Sequence, residues 1–312
     1  MYKCVKQLIL LGSLLLLPLF PFSATAHQKI KTVVSFSILA DLVQNVGKDH
    51  ISITTLVGPN ASTHIYEPTP RDAKTLKNAH IIFINGLHLE GFMNRLATAT
   101  GTKAPLIEVS ANISPLKIKN QKQSAKYHSH SSVDPHAWHA IPNVAIYVKN
   151  IATALCQIDQ QSCESYNKNA HNYIQKLNAM QTTIATQIAT IPKDKRILIT
   201  SHDAFGYFAH EYGFTILAPE SVSTESEATA ADVAKLIKQI KNNKVSALFI
   251  ENISNPRLIK QISKETGLKI SGTLYADALS EKNGSAATYL DMMKHNVNTI
   301  ITAITEQKNP QL

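Results

Sequence analysis

ESYNKNAHNYIQKLNAMQTTIATQIATI, residues 164–191, decides the fold. Tyr166, Ala170, Tyr173, Ile174, Leu177, Met180, Ile184 and Ile188 recur at spacings near three and four, which is the apolar stripe of one long helix. No glycine or proline interrupts it before Pro192. At 1.5 Å per residue it spans roughly 40 Å. Both flanks alternate short β-branched runs with helical patterns. Ahead of it, strands are expected at residues 31–35, 51–57, 80–85 and 106–109. Helices are expected at 38–46 (with Ser37 as a cap), 71–77, 86–97 and from Pro142 onward. Behind it, strands are expected at 196–200, 215–218, 247–250 and 269–274, and helices at 204–212, 231–242, 256–266, 285–294 and 296–305. Such alternation predicts parallel sheets covered by helices. The expected fold is therefore α/β: two lobes with mostly parallel sheets, residues 27–163 and 192–312, joined by one rigid helix at 164–191.

Composition narrows the function classes. The chain has 312 residues, 44% hydrophobic and 17% charged, which is a globular balance and not a disordered one. The formal net charge is +9, but the lysines are scattered and no aromatic-interleaved basic stripe argues for nucleic acid. At the N-terminus, Lys3 and Lys6 precede the apolar run 8–17, and Ala24-Thr25-Ala26 offers a small-residue cleavage site. That is a secretory signal over residues 1–26, with His27 as the expected first mature residue. Cys4 lies before the apolar run, so the mature chain is expected outside the cytoplasm without a lipid anchor. Cys156 and Cys163 could bridge across a helix-to-helix turn or remain two buried thiols.

The 13 histidines carry more information. Four lie in YHSHSSVDPHAWH, residues 127–139, where Asp134-Pro135-His136 reads as a rigid turn holding one imidazole. Three further groups follow strands: His64, His202 and Asp277. In open α/β sheets, ligands bind beyond the carboxyl ends of the strands. If two lobes face one another, His64, His136, His202 and Asp277 can converge between them as metal ligands. Three imidazoles and a carboxylate suit zinc, whereas manganese tolerates oxygen ligands better. Glu67 and Glu251 are candidates for orienting the site, each with an equal claim to an ordinary role, and Trp138 reads as a packed wall. Ser201-His202-Asp203 suggests a hydrolase only superficially, because no G-x-S-x-G elbow occurs.

Several blocks, in this order, resemble the metal-binding solute-binding proteins of bacterial ABC importers for zinc and manganese: His64-Ile65-Tyr66-Glu67-Pro68-Thr69-Pro70, Asn85-Gly86 with Leu89-Glu90, Asp134-Pro135-His136-Ala137-Trp138, Ser201-His202-Asp203-Ala204-Phe205-Gly206-Tyr207-Phe208, and Tyr275-Ala276-Asp277-Ala278-Leu279. The resemblance covers nearly the whole mature chain. It implies two α/β lobes on a linking helix, with His64, His136, His202 and Asp277 as metal ligands. It implies no catalysis, and a periplasmic monomer that passes its ion to an inner-membrane ABC permease. Zinc-type members carry histidine and manganese-type members glutamate at the third ligand position, so His202 points to Zn2+. Mn2+ or Fe2+, and a metal-stabilised adhesin-like role, are the alternatives. His128 and His130 stand where zinc-type members have a longer histidine-rich loop. They read as scavenging ligands or as plain polar loop, and His139 is expected outside the ligand set.

Overall fold

The computed structural model describes residues 28–118, 133–225 and 228–306. The expected signal segment, His27, His128 and His130 lie outside them. The first half forms β1 (Ile30–Phe36), α1 (Ser37–Gly47), β2 (Ile51–Val57), α2 (Pro70–Lys77), β3 (Ile81–Ile84), α3 (Met93–Thr100), β4 (Leu106–Glu108) and α4 (Ile141–Ile158). The 27-residue α5 (Cys163–Ala189) follows. The second half holds β5 (Ile197–Ile199), α6 (Gly206–Tyr212), β6 (Thr215–Leu217), α7 (Ala230–Asn242), β7 (Ala247–Glu251), α8 (Arg257–Thr266), β8 (Ile270–Leu274) and α9 (Tyr289–Glu306).

Each half contains one four-stranded sheet, ordered β2-β1-β3-β4 and β6-β5-β7-β8. Every pairing within them is parallel. The strands are apolar on both faces because helices cover both, as in Ile81–Ile84, where all four residues are buried. The two sheets repeat one topology. In each, the chain reverses its winding beside the first strand, and the crevice at that reversal is where such sheets place ligands. Helix α5 packs against α4, α1 and α9, so its stripe touches both halves. Tyr166, Ala170, Tyr173, Leu177, Ile184 and Ile188 are its buried residues. Cys156 and Cys163 are disulfide-bonded where α4 turns into α5.

Three local expectations are corrected. The helix expected from Gly86 begins only at Met93, because Gly86, Leu87 and His88 all take positive φ. That loop closes on the buried Glu90 carboxylate, whose Oε1 accepts from Asn85 N at 2.7 Å and Ser35 Oγ at 2.7 Å while Oε2 accepts from Gly86 N at 3.2 Å. Ser37 does not cap α1. Its hydroxyl instead accepts from Leu279 N, 3.0 Å away in the other half. The two helices expected after residue 285 are one, Tyr289–Glu306. Asn296 reads like a break, yet its side chain turns inward, accepting from Tyr275 N at 2.9 Å and donating to Tyr275 O at 2.8 Å.

Candidate metal centre

Each half supplies two members of the expected quartet, and the fold brings all four together. His64 sits in the loop between β2 and α2, and His136 in the turn ahead of α4. His202 lies just past β5 and Asp277 just past β8. One donor atom from each lies within 4.8 Å of all the others. His64 Nε2 is 3.2 Å from His136 Nε2 and 3.3 Å from Asp277 Oδ2. His202 Nε2 is 3.3 Å from Asp277 Oδ2, and His136 Nε2 is 3.5 Å from Asp277 Oδ1. Four donors set tetrahedrally about 2.0–2.1 Å from one centre are separated by edges of about 3.3 Å. His136, His202 and Asp277 are wholly buried. His202 Nε2 and both Asp277 oxygens still have no hydrogen-bond partner. Buried polar atoms are ordinarily paired, so convergent unpaired ones suit a cation.

Local chemistry aims these donors. Asp134 Oδ1 accepts from the His136 backbone N at 2.9 Å and pairs with Nδ1 at 2.8 Å. A carboxylate there holds the proton on Nδ1 and leaves the Nε2 lone pair for metal. Glu251, at the end of β7, does the same for His202. Its Oε1 accepts from Ser201 N at 2.8 Å and His202 N at 3.1 Å, and its Oε2 pairs with His202 Nδ1. Beneath Asp277, Trp138 Nε1 donates to Ala276 O at 2.9 Å. Helix α2 is capped by Thr69 and Asp72, and Glu67 is exposed. Glu67 therefore neither caps nor supports the site, whereas Glu251 does. Its signal in the sequence was a carboxylate at a strand end, legible only once β5 is known to neighbour β7.

The electrostatics follow from the burial. Burial opposes charge on His202, but the Glu251 and Asp277 carboxylates outweigh it and hold its pKa well above the ordinary range. Burial likewise opposes charge on Asp277, and the His202 and His136 rings outweigh it, so its pKa lies well below the usual carboxylate range. For His64 burial prevails, and the pKa is lowered. His139 is not one of the four. It stacks on Phe205 with ring centroids 4.4 Å apart, and burial pushes its pKa down to about 3. Ser201 Oγ has no hydrogen-bond partner, so serine and histidine form no relay.

Gly206 opens α6 directly against Asp134, and an added Cβ would overlap Asp134 Oδ2. Gly206→Ala is therefore expected to push Asp134 off His136. We expect metal affinity to fall about tenfold or more, as for other losses of a ligand's supporting carboxylate. A calorimetric titration beside the unchanged protein checks this.

A family model described as "Zinc-uptake complex component A periplasmic" matches residues 32–303. The iron-binding protein YfeA of Yersinia pestis is 34% identical over 273 residues, covering 88% of this chain and 86% of its own. The manganese-binding lipoprotein MntA of Halalkalibacterium halodurans is 32% identical over 277 residues, 89% of each chain. The periplasmic zinc-binding protein TroA of Treponema pallidum superposes with a TM-score of 0.81 at 29% identity, covering 89% of this chain and 99% of its own. These relatives support a periplasmic location and overturn one expectation, that of a chain without a lipid anchor. MntA and most of the other curated relatives are lipoproteins, which speaks against that expectation.

Proposed function

The chain belongs to the periplasmic metal-binding solute-binding proteins of ABC importers, a non-catalytic transport family, and on that premise we propose that it captures one divalent transition-metal ion with His64, His136, His202 and Asp277 and presents it to a membrane permease. The observation that carries this reading is the convergence of four donors in one place, with buried His202 Nε2 and both Asp277 oxygens left without hydrogen-bond partners. We further infer that it works as a monomer of two lobes, residues 27–163 and 192–312, about the linking helix.

Manganese or iron is the better supported cargo, because the curated relatives named for a single metal bind those. Zinc is the second reading. It is favoured by three imidazoles in the donor set, by the description of the family model and by the likeness to TroA. Affinity alone does not choose between them, since zinc outcompetes manganese and iron(II) in most nitrogen and oxygen sites. The deciding experiment has two arms. The metal-stripped chain is titrated with each ion, and manganese, iron and zinc uptake are measured in cells lacking it. One equivalent bound, with manganese or iron uptake lost, supports the first reading. Loss of zinc uptake alone moves the cargo to zinc. Absence of stoichiometric binding defeats both.

Metal binding is also expected to release protons. In the metal-free chain, the raised pKa of His202 adds stability below its unfolded value of about 6.5, lost as pH rises through the folded value. The lowered pKa of Asp277 adds stability above about 3.9, lost as pH falls through the folded value. A bound cation needs His202 neutral at Nε2, so the ion displaces the proton that His202 holds near neutral pH. Roughly one proton released per ion is expected, measurable as the dependence of binding heat on the buffer's own ionisation heat. The rise in melting temperature on adding metal should shrink as pH is lowered from about 8 to about 5. A pH-independent rise would count against these four ligands.

A further inference from the structure

Each half supplies two donors, but the four are not attached alike. His136 belongs to the first half by sequence, yet its turn is bolted to the second. Tyr207 OH of α6 donates to Asp134 O at 3.1 Å. Tyr289 OH of α9 donates to Trp138 O at 2.8 Å, and Trp138 Nε1 reaches Ala276 O beside Asp277. Each of these hydrogen bonds is buried. His136 and His202 are further fixed through Nδ1 by Asp134 and Glu251.

His64 differs in what supports its ring and in where its loop is tied. Its Nε2 meets His136 and Asp277, and among the described residues no carboxylate pairs with its Nδ1. It rides on the loop 58–69, whose links across the cleft lie at the rim. Asn60 N donates to Leu279 O at 3.0 Å, Asn252 Nδ2 donates to Asn60 Oδ1 at 3.0 Å, and the Ser62 and Thr224 hydroxyls meet at 3.3 Å. The next residue, Ile65, is 60% exposed, the most exposed large hydrophobic side chain among the described residues.

We propose that His136, His202 and Asp277 form a pre-assembled three-donor cup, and that His64 on the loop 58–69 is the donor that opens and closes over it. Metal exchange then requires this loop to move and not the lobes to part. A partly hydrated divalent cation enters the cup first, and His64 replaces a water to complete the set. Asn60 and Asn252 act as the positioning pair that holds the loop shut. This rests on the metal-binding reading above.

Hydrogen exchange and a kinetic comparison test it. In the metal-free full chain, amides at 58–66 should exchange fast while those at 134–139 and 272–278 stay slow. Fast exchange at all three segments would overturn the pre-assembled cup. That measurement needs no metal, so it stands even if the transport reading fails. Chelator-driven loss of zinc or manganese should then speed up roughly threefold to tenfold in Asn252→Ala, the worth of the one hydrogen bond it gives the loop, its other, to Ala278 O, lying within its own half. Tyr289→Phe, which removes a buried bolt between the halves, should speed it less. Metal loss faster in Tyr289→Phe than in Asn252→Ala, or unchanged in Asn252→Ala, would show that the lobes separate instead.

Discussion

Replacing Asp277 by asparagine is expected to reduce metal affinity by roughly two to four decades, the equivalent of the roughly 3–5 kcal/mol lost when one partner of a buried pair is removed. Asp277 is the only carboxylate of the quartet. Its Oδ2 lies 3.3 Å from both His64 Nε2 and His202 Nε2. An amide keeps the shape but not the charge, and it can turn an N–H group towards the donors. The metal-free chain should suffer too, since the protonated His202 loses one of the two carboxylates that hold its proton. Calorimetric titration and thermal unfolding of metal-stripped Asp277→Asn check both expectations. Affinity within a few-fold of the parent would remove Asp277 from the ligand set.

The second large effect is expected at Glu251. It touches no ion, yet it accepts from two backbone N–H groups and grips His202 Nδ1. Glu251→Gln should weaken metal binding about 10- to 100-fold, the range found when a ligand's supporting partner is lost. A second readout separates this from simple loosening. Without the Glu251 charge, His202 loses much of what keeps it protonated, so fewer protons should leave on metal binding near neutral pH. Glu251→Gln with weakened affinity but an unchanged proton count would mean that Glu251 only packs.

How far the sequence could be read follows from which signals are local. The stripe in α5 and the apolar runs of β1, β2, β3 and β5 are local patterns, so the two-lobe α/β plan was legible. Of the four proposed donors, His202 and Asp277 stand just past strands, at the binding edge of such a sheet, whereas His64 and His136 stood out by a loop, a rigid turn and the family resemblance. Asn296 was misread as the start of a new helix because asparagine favours helix ends, whereas its side chain bonds inward to Tyr275, a partner 21 residues away. The loop at 86–88 was misread because its left-handed backbone depends on the Glu90 carboxylate closing it. Glu251 stayed between two roles because its partner, His202, is 49 residues away and reaches it only through the pairing of β5 with β7. The uneven attachment of the donors was hidden for the same reason. Nothing around residues 134–139 announces that Tyr207 and Tyr289 tie that turn to the other half.

Anomalous diffraction from crystals of the metal-loaded chain, recorded at the edge of the added metal, locates the ion itself. One strong peak per chain is expected, bonded to His64 Nε2, His136 Nε2, His202 Nε2 and Asp277. A peak elsewhere in the chain, or none among these four donors under saturating metal, would contradict this ligand set.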